Sequence, residues 1–178
     1  MKNIYIVTHG KKFPGANPGM TEEGFAEVSK LRSLLPAEVT DVVCGTGRRH
    51  LDVAKALGLE PTRYTSAVGG PDSGEASVKG GLVGIVRLPC GTAVPYSAYT
   101  TLTDGVEGMR GVLRGLYHNS VVCAGRPSMI MIGMAEADSK SAAVYRIEYS
   151  GLEEFDAGEP EYHIYEVLAT GEAEFHTV

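Results

Sequence analysis

Three short segments hold most of the chemistry that this sequence offers. Thr8-His9-Gly10, Cys44-Gly45-Thr46-Gly47-Arg48-Arg49-His50 and Cys123-Ala124-Gly125-Arg126 each join glycine to an imidazole, a guanidinium or a thiol. Imidazole is the side chain best suited to act as base or nucleophile near neutral pH. Guanidinium groups match the oxygens of phosphate and carboxylate, and glycine lets backbone come close to a ligand. The chemistry on offer is therefore anion binding, with His9 as the reactive group. Each segment also has a plainer reading. A histidine after a strand can be structural, and glycine serves any tight turn. Arg48, Arg49 and His50 fall in the first turn of an expected helix, where the dipole disfavours cations. That placement makes sense if the basic groups and the free helix N–H groups hold an anion together. If both arginines are simply solvated, the misfit costs only about a few tenths of a kcal/mol. A different chemistry is also open: Cys44, Cys123, His9 and His50 could converge as thiolate and imidazole ligands of zinc. No pair among them has a recognised ligand spacing, and the two cysteines also suit strand ends as small apolar residues. No metal or other cofactor is expected.

The elements that must position these groups can be read from the apolar pattern. Ile4-Tyr5-Ile6-Val7, Asp41-Val42-Val43-Cys44 and Ser120-Val121-Val122-Cys123 are short buried strands, each feeding one of the three segments. Thr21 offers an N-cap, with Phe25, Val28, Leu31 and Leu35 at helical spacing before Pro36. Leu51, Ala54 and Leu57 repeat the pattern, with Gly58 as C-cap. A third helix is expected after Asp104 through Val106, Met109, Val112, Leu113 and Leu116, and a fourth from Arg126-Pro127. Val144 to Tyr149 and Tyr162 to Leu168 should form an antiparallel pair. Between Thr62 and Thr101 the pattern weakens: Gly69 to Gly81 reads as loop, Leu82 to Leu88 as a strand, and Pro89 to Pro95 as a turn or extended connection. Alternating strands and helices predict an α/β fold, a three-layer α/β/α sandwich on a mostly parallel sheet, as a single domain over 1–178. Ligands of such sheets bind beyond the carboxyl ends of the strands. If the three strands are neighbours, their three segments share one rim.

The bulk properties narrow the partners. The chain has 178 residues, 43% of them hydrophobic and 21% charged, within the range of soluble globular proteins. A net charge of −6 argues against a nucleic-acid partner, whose phosphates need a basic face. A small basic pocket for one phosphate is still compatible with it. No apolar run approaches a membrane span, and the opening run is too short for a signal segment. Three widely spaced cysteines predict reduced thiols and a cytoplasmic location. Oligomeric state leaves no mark in the sequence.

Taken together, these residues resemble a known family, the histidine phosphatase superfamily with its phosphoglycerate mutase-like fold. Ile4-Tyr5-Ile6-Val7-Thr8-His9-Gly10 is similar to that family's opening strand, which ends in Arg-His-Gly. Met20-Thr21-Glu22-Glu23-Gly24 resembles its Leu-Thr-Glu-Glu-Gly helix start. Val42 to Leu57 is similar, without gaps, to the pattern Val-Tyr-Ser-Ser-Pro-Leu-x-Arg-Ala-x-Gln-Thr-Ala-x-Ala-Leu. Val121 to Pro127 resembles the strand that carries the second pocket histidine, as Val-Gly-His-x-Pro. The resemblance implies that His9 is a phosphoryl-accepting nucleophile and Arg49 an oxyanion clamp. It also marks two departures. Thr8 stands where the first pocket arginine belongs, and Gly125 (or Ala124, one residue earlier) where the second histidine belongs. Each lost donor typically costs roughly 10²–10³ in rate, so two could cost on the order of 10⁴.

Lys11, Lys12, Arg48 and Arg126 lie close enough to the rim to replace the lost charge, Arg126 or Lys11 foremost. Thr8, Gly10 and Gly125 would line the phosphate. Glu75, with Asp72 nearby, is the general-acid candidate in the polar loop. The expectation is a protein that binds a phosphorylated small molecule or a phosphoprotein with weak or no phosphatase activity. The alternative is an active phosphomonoesterase working through His9 in a rebuilt pocket.

Overall fold

β-branched and aliphatic residues alternate along the first strand, β1 (Lys2–Val7), so that Ile4 and Ile6 face one side of a sheet and Val7 the other. The structure is a computed structural model describing residues 2–15, 17–70, 85–87, 93–95, 105–131, 142–149, 162–167 and 173–177. The next strands are β2 (Val42–Cys44), β3 (Arg63–Tyr64), β4 (Ile85–Arg87), β5 (Ala93–Pro95) and β6 (Ser120–Cys123). They are followed by β7 (Ala143–Tyr149), β8 (Tyr162–Val167) and β9 (Ala173–Thr177). Seven of these form one sheet in the order β3-β2-β6-β1-β7-β8-β9, while β4 and β5 pair separately. β3, β2, β6 and β1 are mutually parallel, and β7, β8 and β9 continue the sheet antiparallel. Three of the six pairings in this sheet are parallel and three antiparallel, so a parallel half carries the three segments and an antiparallel half extends it.

Helices cover both faces. One side packs Ile4, Ile6, Val43 and Val122 beneath Met109, Val112 and Leu113 of α3 (Gly105–Gly115) and Met129 of α4 (Arg126–Met131). The opposite side packs Val7, Val42, Cys44, Val121 and Cys123 beneath Val28 of α1 (Glu22–Ser29) and Val53, Ala54 and Leu57 of α2 (Arg48–Leu57). A sheet buried on both faces needs apolar residues at every position, which is why the strands read as unbroken apolar runs. Two layers of helices around the sheet give the α/β/α sandwich.

Local signals fix the helix ends. Thr21 Oγ1 accepts from the Gly24 N–H at 3.1 Å, capping α1. After Ser29 the chain tightens into a 3₁₀ turn (Lys30–Leu34), and Leu35 turns extended ahead of Pro36, whose ring disfavours a helical predecessor. Gly58 closes α2 with φ +69°, a conformation glycine adopts without penalty.

Two strands lay beyond the sequence pattern. β3 has two residues, too few to show a period. β9 pairs with β8, placing His176 opposite Ile164, beyond the last strand expected from the sequence. The stretch Pro89–Pro95 ends in β5, whose partner β4 lies inside the expected strand Leu82–Leu88. Asp72, Glu75 and Asp104 lie outside the described residues. Among the described residues no helix is long and apolar enough to cross a membrane.

Candidate anion site at the strand ends

The three chemistry-bearing segments do share one rim, and the register makes it level. Cys44 pairs with Cys123, and Cys123 with Val7, so β2, β6 and β1 end on the same rung. Backbone bonds then tie the emerging turns together. The Gly45 N–H donates to the Cys123 carbonyl at 2.9 Å and the Ala124 N–H to that of Val7 at 3.2 Å. A fourth segment joins from beyond β3: Thr46 N–H donates to Gly69 O, and Gly125 N–H to Val68 O, each at 2.8 Å. Sequence reasoning missed this fourth wall. Its only signal was the pair Gly69-Gly70, read as the start of a long loop.

His9 leaves β1 into this rim and is buried, with 8% of its surface exposed. Its Nδ1–H donates to the Gly10 carbonyl at 2.8 Å. A carbonyl can only accept, so this bond fixes the tautomer and leaves the lone pair on Nε2. Arg126 faces that lone pair: its Nη1 donates to His9 Nε2 at 2.8 Å, and its Nη2 to the His9 carbonyl at 3.1 Å. Burial, then the Arg126 charge, with smaller contributions from Arg49 and Lys12, pulls the His9 pKa down to about 3, against a modest opposing pull from the Gly10 carbonyl. His9 is thus a neutral imidazole at neutral pH, its basic nitrogen directed at a guanidinium.

The end of β1 is held in place by close packing. A Cβ on Gly10 would lie 2.7 Å from the Gly24 carbonyl oxygen, so only glycine lets α1 approach. The Gly10 N–H meets Met20 Sδ at 3.2 Å, and the Met20 N–H donates to Asp52 Oδ2 of α2 at 2.9 Å. Through Met20, α2 and the turn after His9 are registered against each other.

Neighbouring arginines of α2 have opposite fates. Arg48 is exposed, and its N–H at the helix start is satisfied by Asn17 Oδ1 at 3.0 Å. Arg49 is buried, 7% exposed, with its guanidinium against Gly47 and its charge acting on both His9 and His50. His50 is fully buried, with its ring centroid 6.3 Å from that of His9. Burial first, then Arg49, His9 and Arg126, hold His50 well below the ordinary histidine range; the nearby Gly70 backbone opposes this weakly. Cys123 and Cys44 take no part in the site. Both are fully buried under α1 and α2, and their mutual hydrogen bond, with burial, pushes the Cys123 thiol up.

The remaining candidates disperse. The Thr8 hydroxyl exchanges hydrogen bonds with the Ala143 backbone, accepting from its N–H at 3.0 Å and donating to its carbonyl at 3.4 Å. It extends the β1–β7 ladder and does not face the rim. Lys11 reaches outward to Glu23 at 3.1 Å with both side chains largely exposed. Gly10 contributes its carbonyl to His9, and Gly125 packs on the His50 ring. Glu75 lies outside the described residues. The structure therefore gathers His9, Arg49, Arg126, Gly125 and His50, while Thr8, Lys11 and Arg48 point elsewhere. Among the described residues no group of three or more His, Cys, Asp or Glu could hold a metal ion. The thiol–imidazole zinc reading fails on that geometry.

No protein-family model and no curated protein matches the chain. Solved structures do. Open reading frame Rv3214 from Mycobacterium tuberculosis superposes with a TM-score of 0.55 at 16% identity, over 84% of this chain and 92% of its own. TTHB049 from Thermus thermophilus gives 0.54 at 13% identity, over 83% and 94%. A candidate phosphohistidine phosphatase, SixA from Nakamurella multipartitia, gives 0.53 at 15% identity, over 91% and 94%. At such identities the likeness shows the fold alone, the phosphoglycerate mutase-like α/β/α sandwich. Activity has to be argued from the site's own residues.

Proposed function

We propose that this chain binds a phosphorylated ligand at the rim formed by His9, Arg49 and Arg126, with little or no turnover. One observation carries the reading: two guanidiniums and a neutral imidazole converge in a buried setting, and Arg126 already rests on the imidazole lone pair. Convergent guanidiniums in a low-dielectric site favour an anion strongly. A phosphate dianion entering the rim offers Arg126 a charged acceptor in place of the weaker imidazole nitrogen. Arg126 thereby supplies the charge that Thr8, turned to Ala143, does not. The same contact argues against fast turnover, because the nitrogen that would attack phosphorus is occupied by a donor. A phosphorylated small molecule or a phosphorylated protein side chain presents the same group.

A second reading is favoured by the tautomer. With Nδ1–H held by Gly10, Nε2 is the nitrogen that can attack. In such turnover Nε2 forms a bond to phosphorus as the ester P–O bond breaks. The leaving oxygen takes a proton from a carboxylic acid, the role expected of Glu75, or from water. Water then attacks the phosphohistidine, returning the proton and releasing inorganic phosphate.

The two readings part in one experiment. Inorganic phosphate is titrated into the wild type and Arg126→Ala, and hydrolysis of a generic phosphomonoester is followed beside His9→Ala without added metal. Phosphate binding that weakens in Arg126→Ala, without turnover, supports the binding reading. Turnover that vanishes in His9→Ala establishes the second. A wild type that neither binds nor hydrolyses defeats both.

A further inference from the structure

His50 is a buried polar side chain of the rim whose burial the fold does not explain. It has no exposed surface, and neither ring nitrogen meets a partner in hydrogen-bond geometry among the described residues; the Gly70 backbone nearby exerts only a weak pull. Buried polar groups are nearly always paired, and an unpaired one calls for a reason. The cavity around it is built from glycine. A Cβ on Gly69 would lie 2.6 Å from His50 Nε2, and one on Gly45 2.7 Å from Cδ2. A Cβ on Gly47 would lie 3.1 Å from Cδ2, and one on Gly125 3.2 Å from Cε1 and 3.3 Å from Nε2. Glycine at these four positions on three loops leaves room for the imidazole, and at three of them for close backbone as well: a Cβ on Gly45 would lie 2.6 Å from the Gly69 carbonyl oxygen, one on Gly47 2.7 Å from that of Gly70, and one on Gly69 2.8 Å from the Gly125 nitrogen.

We propose that His50 is the second imidazole of the anion site, delivered from the first turn of α2 into the space that Gly125 leaves open. The proposal rests on the phosphoryl-binding reading. Two independent observations meet here. In the structure, the His50 ring fills the volume a side chain at 125 would take, next to His9 and under the same two guanidiniums. In the sequence, the resemblance places alanine at 50 and histidine at 125, and this chain carries histidine at 50 and glycine at 125. The two departures are complementary. A neutral imidazole keeps one N–H, and an anion that draws Arg126 off His9 gives that N–H an oxygen to meet.

The test titrates inorganic phosphate into four proteins: wild type, His50→Leu, His50→Gln, and the exchange variant His50→Ala with Gly125→His. Leucine keeps the volume and removes the N–H; it should weaken binding roughly 10- to 100-fold, the worth of one hydrogen bond to a charged group. Glutamine should recover part of the loss, and the exchange variant most of it. If His50→Leu binds as tightly as wild type, His50 is only filler and the proposal falls, even while loss of binding in Arg49→Ala keeps the phosphoryl reading. A wild type that does not bind phosphate overturns both. Should His50→Leu fail to fold, the ring nitrogens of His50 in the wild type give the answer by NMR. Shifts that move with added phosphate support the proposal, and shifts that stay fixed overturn it.

Discussion

Glycine brings the chain close to itself in two regions, and the two approaches differ in kind. Between β1 and α1, Gly10 and Gly24 let backbone meet backbone: a Cβ on Gly24 would stand 2.1 Å from the Lys11 carbonyl oxygen and 2.9 Å from the Lys11 nitrogen. Around the segments that follow β2, β3 and β6, the glycines Gly45, Gly47, Gly69 and Gly125 surround an imidazole, and Gly45, Gly47 and Gly69 also face neighbouring backbone. The first contact sets where His9 sits and is rigid, since neither backbone can yield. The second holds a polar ring that returns no well-formed hydrogen bond to the protein among the described residues. The first region therefore serves the fold alone, and the second serves both the packing of its loops and the ring they enclose. Glycine content alone does not separate them; the imidazole ring among the atoms opposite the missing Cβ does.

Substitutions can break that contrast in order of effect. Gly24→Ala drives a methyl into backbone and should cost about 3 kcal/mol or more, a fall in Tm of roughly 10 °C for a chain of this size. A melt unchanged from wild type would mean the α1 contact is loose. Arg49→Ala acts on the ligand side, and inorganic phosphate should bind roughly 100-fold more weakly. Titration calorimetry showing equal affinity would remove Arg49 from the site. Acidification probes both buried histidines at once. Each has a folded pKa below the unfolded value near 6.5, so the unfolded chain binds more protons beneath it. The His9 contribution is complete above pH 6.5 and drains as pH falls toward 3, at roughly 1 kcal/mol per pH unit, and the His50 contribution drains in the same direction. Melts at pH 7 and pH 5 should separate clearly, and His50→Leu should narrow the gap. Gly125→Ala should cost only about 1 kcal/mol, because the His50 ring can give by a few tenths of an ångström where backbone cannot. Arg48→Ala should change stability by less than about 0.5 kcal/mol and leave phosphate affinity alone, as the solvated neighbour of Arg49.

Much of this was legible in the residues. Apolar runs, Thr21, Pro36 and Gly58 mark the elements, and the parallel order puts the three segments on one rim. His9 and Arg126 can be named from that rim, and Arg49 from the family resemblance. What the sequence could not convey is direction. Arg48 and Arg49 are adjacent and alike, and only the helix orientation decides that one is exposed and the other buried. Thr8 sits beside His9, yet strand alternation turns it to Ala143. His50 looked like one more ligand in a thiol cluster because glycine spacing does not reveal which ring it encloses. The segment Val68-Gly69 escaped notice because β3, which delivers it, is two residues long.

The central claim is that His9 is a neutral imidazole with its Nε2 lone pair turned to Arg126, ready to cede that arginine to an anion. Long-range ¹H–¹⁵N NMR of the His9 ring at pH 7 tests it directly. The account predicts a protonated Nδ1 and a bare Nε2, with the Nε2 shift moving as inorganic phosphate is added. An imidazolium, or a proton on Nε2 with Nδ1 bare, would contradict it.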